Sequence, residues 1–316
     1  MRAFITGVTG FAGSHLAEHL LAQGDAVLGC GRRGKWDVSV PTSVTTRTPV
    51  FVWNLADGVT PEVDQRVAEF RPDVIYHLAA VSVPADCGGE EPTPMASEAN
   101  IEGTRSVVEL CQRLDNNPRL VFASSCYVYA PVTPDNPVVT EEAPTAPTRA
   151  YGKTKLAAEQ ILRDAIEAGN FDAIIARSFQ HTGPRQSPRM ILPDWATQLL
   201  RLSDEPLRAI CLDTHLDLCD VRDTVRAYHL LALDGVYGSV YNVGSGVSRK
   251  SGDILSAMQT CAQSTRKVTE LQRGRRQHPI ADISKLCECT GWKSETPFER
   301  TIIDTLNYWR ERGMDS

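Results

Sequence analysis

Residues 7–13 read GVTGFAG, and they follow the short apolar run of residues 3–5 (AFI). After them, residues 12–22 (AGSHLAEHLLA) show the spacing of an amphipathic helix that ends before Gly24. Glycines between a strand and a helix allow a tight turn, close packing, and approach of backbone N–H groups to a phosphate. The spacing is GxxGxxG and not the more common GxGxxG. The segment therefore predicts a phosphate-binding loop at the start of the first helix.

Short apolar runs alternate with helical spacing through the first half of the chain. We predict strands at 3–5, 26–28, 50–53, 74–78, 120–123 and 173–176, and helices at 12–22, 62–70, 97–114 and 151–168. Alternating strands and helices form a parallel sheet covered on both faces, and right-handed crossovers make it doubly wound. The predicted fold class is therefore α/β, with ligands at the carboxyl ends of the strands.

The second half of the chain is less regular, and it predicts a smaller C-terminal lobe. Helical spacing recurs near 191–202, 223–233 and 298–312, and residues 240–243 resemble a strand. We divide the chain into a dinucleotide-binding domain, residues 1–178 plus about 222–243, and a substrate-binding lobe, about 179–221 plus 244–316. The proline-rich stretch at 131–147 lies between a strand and a helix, which indicates a loop near the site.

Composition excludes several classes of protein. The 316 residues are 42% hydrophobic and 23% charged, which argues against a disordered or fibrous chain. A net charge of −6 argues against a nucleic-acid partner, and no apolar run is long enough for a membrane span. Nine scattered cysteines indicate reduced thiols and a cytoplasmic location. Cys287-x-Cys289 lacks a second ligand pair at zinc spacing, so no metal site is predicted.

A tyrosine and a lysine stand one turn apart at the start of the helix predicted at 151–168. For Tyr151 to act as an acid near neutrality, its pKa must fall by about three units, or roughly 4 kcal/mol. An ammonium about 4 Å away, at an effective dielectric near 20, supplies a comparable energy, and Lys155 is spaced to provide it. Ser125 follows the fifth predicted strand, where its hydroxyl can bond the substrate oxygen that Tyr151 protonates.

These motifs occur together with five further segments: residues 77–80 (HLAA), 100–104 (NIEGT), 124–130 (SSCYVYA), 177–184 (RSFQHTGP) and 241–246 (YNVGSG). In order and spacing the chain resembles the extended short-chain dehydrogenase/reductases, the NAD-dependent epimerase/dehydratase family of nucleotide-sugar enzymes. Its C-terminal half is most similar to GDP-4-keto-6-deoxy-mannose reductases and the related GDP-mannose dehydratases. The resemblance implies a Rossmann-type sheet, a nucleotide-sugar substrate, and a homodimer with a four-helix interface formed by helices 97–114 and 151–168.

The resemblance also implies roles for individual residues. Tyr151 would donate the proton, Ser125 would be the catalytic serine, and Lys155 would hold the nicotinamide ribose. The implied cofactor contacts are Gly7, Thr9, Gly10, Phe11, Ala12, Gly13, Arg32, Arg33, Asn54, Leu55, Leu78, Ala79, Ala80, Tyr151, Lys155 and Phe179. The implied substrate contacts are Val81, Ser125, Cys126, Tyr127, Gln180, His181 and Arg273, the last as a clamp on the diphosphate. Asn100 would order hydrogen bonds in the sheet.

The sequence departs from the family pattern at the substrate side. Tyr127 stands where the dehydratases have an acidic residue, and a tyrosine cannot do a carboxylate's proton work at neutral pH without a large pKa shift. Gln180 replaces the usual asparagine, and Leu216 replaces an arginine. Dehydration is therefore disfavoured.

The end of the second predicted strand indicates the cofactor. No carboxylate stands there to bind the adenosine ribose hydroxyls, whereas Arg32 and Arg33 can meet a 2′-phosphate with a planar fork. We predict NADP, with NAD as the other possibility, and an NADP-dependent reductase acting on a 4-keto-6-deoxy hexose nucleotide, with a GDP-linked sugar favoured. The alternative is a nucleotide-sugar 4-epimerase. A 4,6-dehydratase and a non-catalytic cofactor-sensing protein are less favoured.

Overall fold

The computed structural model describes residues 1–169 and 171–313. The strands are β1 (Arg2–Thr6), β2 (Ala26–Gly31), β3 (Val50–Val52), β4 (Val74–His77), β5 (Arg119–Ser125), β6 (Val138–Val139), β7 (Ala173–Ser178), β8 (Gln180–Thr182), β9 (Leu207–Ala209), β10 (Thr214–Asp220), β11 (Val240–Val243), β12 (Ser248–Lys250), β13 (Val268–Glu270), β14 (Arg276–Gln277) and β15 (Ile280–Ala281). The α-helices are α1 (Phe11–Ala22), α2 (Thr42–Thr45), α3 (Pro61–Phe70), α4 (Pro84–Cys87), α5 (Pro94–Ser97), α6 (Gly103–Arg113), α7 (Ala150–Glu167), α8 (Ile191–Leu200), α9 (Val221–Asp234), α10 (Ser251–Cys261), α11 (Ser284–Thr290) and α12 (Phe298–Glu311).

Seven strands form one sheet in the order β11-β7-β5-β4-β1-β2-β3. All neighbours in it run parallel, with Thr6 of β1 opposite His77 of β4. The strand order reverses between β1 and β4, so the carboxyl ends of these two strands flank a crevice, as in other doubly wound sheets. The predicted α/β fold with a Rossmann-type parallel sheet is confirmed.

Helices cover both faces of this sheet, and each face has its own apolar core. One core joins α1 to α9 and α11 through residues such as Leu16 and Leu231. The other joins α3, α6 and α7 through residues such as Leu110 and Leu162. A third core, around Trp195, lies outside the sheet between α8, α10 and α12. The sheet thus holds the carboxyl ends of its strands rigidly, with the smaller lobe beside them.

One C-terminal segment packs on the sheet side of the molecule. Leu286 and Trp292 are fully buried in the core of α1 and α9, and the Trp292 indole donates a hydrogen bond to the carbonyl of Asp223 at 3.0 Å. The predicted boundary assigns both residues to the substrate lobe. The division into domains stays a prediction, and this packing favours moving residues 284–292 to the dinucleotide-binding side.

The helix predicted over 97–114 is not a single regular helix. Helix α5 ends at Ser97, a π-helical turn spans Glu98–Glu102, and α6 begins at Gly103. A π turn inserts an extra residue into a helix, and Asn100, within this turn, is buried. Its side chain bonds Val81 and Thr154 of α7, so the irregular turn brings an amide between the sheet and α7.

No helix among the described residues is long and apolar enough to cross a membrane. All nine cysteines are free thiols, and six of them are buried.

Candidate active site

The loop between β1 and α1 is held by close backbone contacts. Gly7 has a φ of +72°, and a Cβ added there would lie 2.8 Å from the backbone of Ala79. A Cβ on Gly13 would lie 2.2 Å from the carbonyl oxygen of Gly7, and the Gly10 amide donates to that same oxygen at 2.9 Å. Only glycine fits at positions 7 and 13. The amino end of α1 therefore opens directly at the carboxyl edge of the sheet.

This cradle fits the diphosphate of a dinucleotide. The exposed backbone of Gly10 and the half-buried Phe11 and Ala12 lie at the amino end of α1, where the helix dipole favours an anion. Thr9 lies against β2, because a Cβ on Gly31 would be 2.8 Å from its hydroxyl. The cradle is thus bounded by backbone atoms, and a side chain at one of these glycines would occupy its space.

The predicted adenosine-side residues lie at the ends of β2 and β3. Arg32 and Arg33 follow β2 directly, and both are exposed. Asp37, the next acid along the chain, accepts hydrogen bonds from the Ser39 amide at 2.9 Å and from Arg312 at 3.1 Å. Its carboxylate is therefore engaged by those groups. At the end of β3, Leu55 is buried and the half-buried Asn54 donates to Asp57 at 2.8 Å.

The predicted contacts after β4 continue the cradle. Leu78, Ala79 and Ala80 are half-buried, and Val81 is buried. The Ala79 amide donates to the Thr6 hydroxyl at 3.3 Å, and Leu78 donates to the Thr6 carbonyl at the same distance. These bonds join the ends of β1 and β4 at the reversal point of the sheet.

The three predicted catalytic residues lie at the end of β5 and at the start of α7. Ser125 ends β5 and is buried, and its hydroxyl accepts a hydrogen bond from the Tyr127 amide at 3.2 Å. Tyr151 is half-buried in the first turn of α7. Lys155, one turn later, is buried, and its ammonium donates to the carbonyl of Ala123 at 2.8 Å and lies over the Phe122 ring.

The pKa of Tyr151 differs from the sequence-based expectation. Burial raises it above the usual range, the nearby Cys87 adds to the shift, and a hydrogen bond with the Ser125 hydroxyl opposes it. Burial also lowers the pKa of Lys155 to about 8. Lys155 is not among the main contributors to this shift, and its ammonium is bonded to the Ala123 carbonyl of β5. A lowered pKa for Tyr151 would require the lysine to turn toward it.

A buried ion pair fixes α7 to the sheet. Arg177 of β7 donates two hydrogen bonds to Glu159 of α7, at 3.0 and 2.8 Å, and the Ser124 hydroxyl donates to the same carboxylate at 2.5 Å. Arg177 and Glu159 are both buried. Bidentate pairs of this kind fix orientation as well as distance, so the helix that carries Tyr151 is held in register with the end of β5.

On the substrate side, Tyr127 is the centre of a group of polar side chains. Its ring meets the Tyr151 ring edge-on, with centroids 6.2 Å apart, and its hydroxyl accepts a hydrogen bond from the Gln180 amide at 3.1 Å. Burial raises the pKa of Tyr127 to about 12, so the group is neutral at pH 7. The preceding Cys126 is buried, and burial also raises the pKa of its thiol.

His278 is a site residue that sequence reasoning missed. Its ring stands edge-on to Tyr127 with centroids 6.0 Å apart, and burial, aided by Arg276, lowers its pKa. Its only signal in the sequence is its place just after the arginine-rich segment 273–276. Because 150 residues separate it from Tyr127, no local pattern points to their contact.

The remaining predicted residues fall into two groups. Phe179 is buried beside Tyr129, with ring centroids 6.4 Å apart, and His181 stacks on Phe11 at 5.8 Å, which joins the lobe to the phosphate loop. Arg273 is exposed on the segment before β14.

Over residues 1–169 and 171–313, no three His, Cys, Asp or Glu side chains group as a metal site.

Comparison with known proteins gives consistent matches. The NAD dependent epimerase/dehydratase family matches residues 3–244. GDP-6-deoxy-D-mannose reductase of Pseudomonas aeruginosa is 26% identical over 322 residues, which is 98% of each chain. The structure of RMD from Pseudomonas aeruginosa complexed with NADPH has a TM-score of 0.80 at 26% identity and covers 98% of this chain and 99% of that one. UDP-glucose 4-epimerase from Thermus thermophilus in complex with NAD has a TM-score of 0.84, also at 26% identity, with the same coverage.

Proposed function

The chain belongs to the NAD-dependent epimerase/dehydratase family of NAD(P)-dependent nucleotide-sugar enzymes, and on that premise we propose that it is an NADP-dependent 4-keto reductase. Its substrate in this proposal is a 4-keto-6-deoxy hexose linked to GDP. The similarity to GDP-6-deoxy-D-mannose reductase over 98% of both chains supports this kind of reaction.

The observation that carries the proposal is the end of β2. Arg32 and Arg33 are exposed there, and the carboxylate of Asp37 is engaged by Ser39 and Arg312. Such an end suits a 2′-phosphate better than free ribose hydroxyls. A net reductase consumes one reduced cofactor in each turnover, whereas an epimerase returns the hydride to the same sugar.

A 4,6-dehydratase is disfavoured by the groups around Tyr127. Removal of water across a sugar ring needs a group that exchanges protons near neutral pH. The neutral Tyr127 hydroxyl, with its pKa raised to about 12 and bonded to Gln180, does not supply one.

When bound in this cradle, NADPH would supply the hydride for reduction of the carbonyl carbon of the sugar. Tyr151 donates its proton to the carbonyl oxygen as the charge develops there, and the Ser125 hydroxyl donates a hydrogen bond to the same oxygen. Lys155 would hold the ribose hydroxyls of the cofactor and, with its ammonium turned from Ala123 toward Tyr151, would lower the pKa of that phenol. Gly7, Gly10 and Gly13 provide the backbone cradle for the diphosphate.

The second candidate function is a nucleotide-sugar 4-epimerase. It is favoured by the likeness to the Thermus thermophilus UDP-glucose 4-epimerase, whose identity and coverage equal those of the RMD structure. The same Ser125, Tyr151 and Lys155 would serve both reactions, so the substrate and the fate of the cofactor must separate the two candidates.

The deciding experiment supplies the purified protein with NADPH and GDP-4-keto-6-deoxy-D-mannose. We expect one NADPH to be oxidised for each GDP-6-deoxyhexose formed. Parallel reactions with UDP-glucose and NAD test epimerisation, and GDP-mannose with NADP⁺ tests dehydration. Interconversion of UDP-glucose and UDP-galactose without net NADH change would favour the epimerase, and accumulation of the 4-keto sugar from GDP-mannose would favour a dehydratase.

The homodimer formed by helices 97–114 and 151–168 and the cytoplasmic location stay predictions. Sedimentation of the wild type at micromolar concentration tests the homodimer. The variant Ala157→Arg, which alters a half-buried position of α7, should be a monomer in the same experiment if the interface is correct.

A further inference from the structure

A chain of buried hydrogen-bonded side chains joins β1, β4 and α6 at the reversal point between β1 and β4. The Thr6 hydroxyl lies 2.8 Å from Nδ1 of His77, and Nε2 of that ring lies 3.0 Å from the Thr104 hydroxyl. All three side chains are buried. At the outer ends of the chain, the Ala79 amide donates to Thr6, and Thr104 donates to the Asn100 carbonyl at 2.7 Å.

The two ends fix where each proton lies. A carbonyl oxygen accepts only, so the single Thr104 proton points at Asn100, and Thr104 must accept from His77. Nε2 of His77 therefore carries a proton. In a neutral imidazole the other nitrogen is bare, so Nδ1 accepts the Thr6 proton, and the Thr6 oxygen is left free to accept from the Ala79 amide.

The neutral state of His77 follows from its surroundings. Burial lowers its pKa to about 3, and the charge of Lys155 acts in the same direction. The ring therefore keeps one proton across the physiological range, and the bond directions along the chain do not change there.

We propose that His77 is a positioning residue, held as the Nε2–H tautomer, which sets the cofactor cradle by fixing the Thr6 hydroxyl that holds the Ala79 amide. Gly7 packs on Ala79, and a Cβ added to Gly7 would lie only 2.8 Å from the Ala79 backbone. A shift of Ala79 would therefore be passed directly to the phosphate loop. This inference rests on the proposed use of residues 7–13 and 78–80 as the cofactor site.

The other end of this hydrogen-bonded chain, beyond Thr104, reaches α7, the helix that carries Tyr151. The Asn100 side chain accepts from the Val81 amide at 2.7 Å and donates to the Thr154 hydroxyl at 3.0 Å. Thr154 in turn donates to the carbonyl of Tyr151 at 2.8 Å. His77 thus has two separable halves, one toward the cofactor cradle through Nδ1 and one toward α7 through Nε2.

Two conservative variants separate these halves. The side-chain oxygen in His77→Asn takes the place of Nδ1 and can accept from Thr6, but it does not reach Thr104. The side-chain nitrogen in His77→Gln takes the place of Nε2 and can donate to Thr104, but it leaves Thr6 without its acceptor. Both variants lose one buried hydrogen bond, so both should lower the thermal unfolding temperature by similar amounts.

The readout is the dissociation constant for NADPH, measured by fluorescence titration. We expect His77→Asn to stay within about threefold of the wild type and His77→Gln to weaken NADPH binding about tenfold. Thr6→Ser should keep the affinity and Thr6→Val should lose it to the same degree as His77→Gln. If the wild type binds NADPH and the His77→Asn and His77→Gln variants have equal dissociation constants for it, the positioning role is overturned. The proposed function is unaffected by that result.

Two further results bear on the inference. Nitrogen-15 spectra of the wild-type protein should show the proton on Nε2 and a bare Nδ1 from pH 5 to pH 9, and the opposite tautomer would overturn the assignment. Failure of the wild type to bind either NADPH or NADH would overturn the cofactor site itself and this inference with it.

Discussion

The two sides of the candidate site are built differently. On the cofactor side, close backbone contacts at Gly7 and Gly13 fix the loop, and Thr6 and His77 have their hydrogen bonds satisfied within the protein. On the substrate side, Tyr127 and Gln180 come from distant segments, and the buried Oε1 of Gln180 has no hydrogen-bond partner among the described residues. On the cofactor side the hydrogen bonds of Thr6 and His77 are made within the protein. On the substrate side the Gln180 oxygen is available to accept a hydrogen bond from a ligand.

This difference separates affinity from selectivity. A preformed cradle spends little free energy on ordering when the cofactor binds. An unpaired buried acceptor is unfavourable until a matching donor arrives, so it favours ligands with a hydroxyl or amide at that place. Changes on the cofactor side should therefore alter binding of one cofactor, and changes on the substrate side should alter which sugar is accepted.

The largest expected effect is on chemistry and not on binding. Tyr151→Phe removes the proposed proton donor but keeps the ring that meets Tyr127, so turnover should fall about 10²- to 10⁴-fold while the NADPH affinity stays within about twofold. Stopped-flow NADPH oxidation and fluorescence titration measure the two quantities. Lys155→Met is the companion variant and should impair both. Retention of more than a tenth of wild-type turnover by Tyr151→Phe would contradict its role.

The next effect tests whether backbone contact shapes the cofactor side. Gly13→Ala places a Cβ 2.2 Å from the Gly7 carbonyl, so the loop must shift. Overpacking costs about 1–3 kcal/mol, and we expect NADPH affinity to fall up to about a hundredfold. Gly89→Ala is the matched control, because its Cβ would meet nothing within 4 Å. Equal affinities of these two variants would argue against a preformed cradle.

Features encoded in contiguous residues could be predicted from the sequence, whereas contacts between residues far apart in the chain could not. The phosphate loop, the strands of the sheet and the Tyr151–Lys155 spacing are encoded in contiguous residues, and the structure has them at the predicted places. The contact of His278 with Tyr127 joins residues far apart in the chain, so no periodicity predicts it. The direction of the Lys155 ammonium depends on a carbonyl of β5, which the helical spacing does not contain. Apart from the π-helical turn within 97–114, the local backbone is therefore predictable here, while the meeting of distant side chains is not.

A third prediction concerns the exposed edge of the cofactor side. Either Arg32 or Arg33 would contribute one charge-assisted bond to a 2′-phosphate, about 1.5–3 kcal/mol, so the protein should prefer NADPH over NADH about ten- to a hundredfold. Titration of both cofactors against the wild type, Arg32→Ala and Arg33→Ala identifies which side chain supplies the preference. Lys35→Ala, on the same exposed segment, is the charge control. Tighter binding of NADH by the wild type would refute the NADP assignment.

The smallest expected effect compares the two sides through their histidines. The pKa of His77 is lowered from 6.5 to about 3 by burial, so below pH 6.5 the unfolded chain binds a proton that the folded chain does not. The free energy of unfolding must then decrease as the pH is lowered, by about 1–2 kcal/mol between pH 6.5 and pH 5 for this group. Urea unfolding at the two pH values should show that His77→Asn loses this share of the pH dependence. His278→Asn should change it less, since that ring is only partly buried. An unchanged pH dependence in His77→Asn would mean that His77 is not the buried neutral group on which the cofactor side depends.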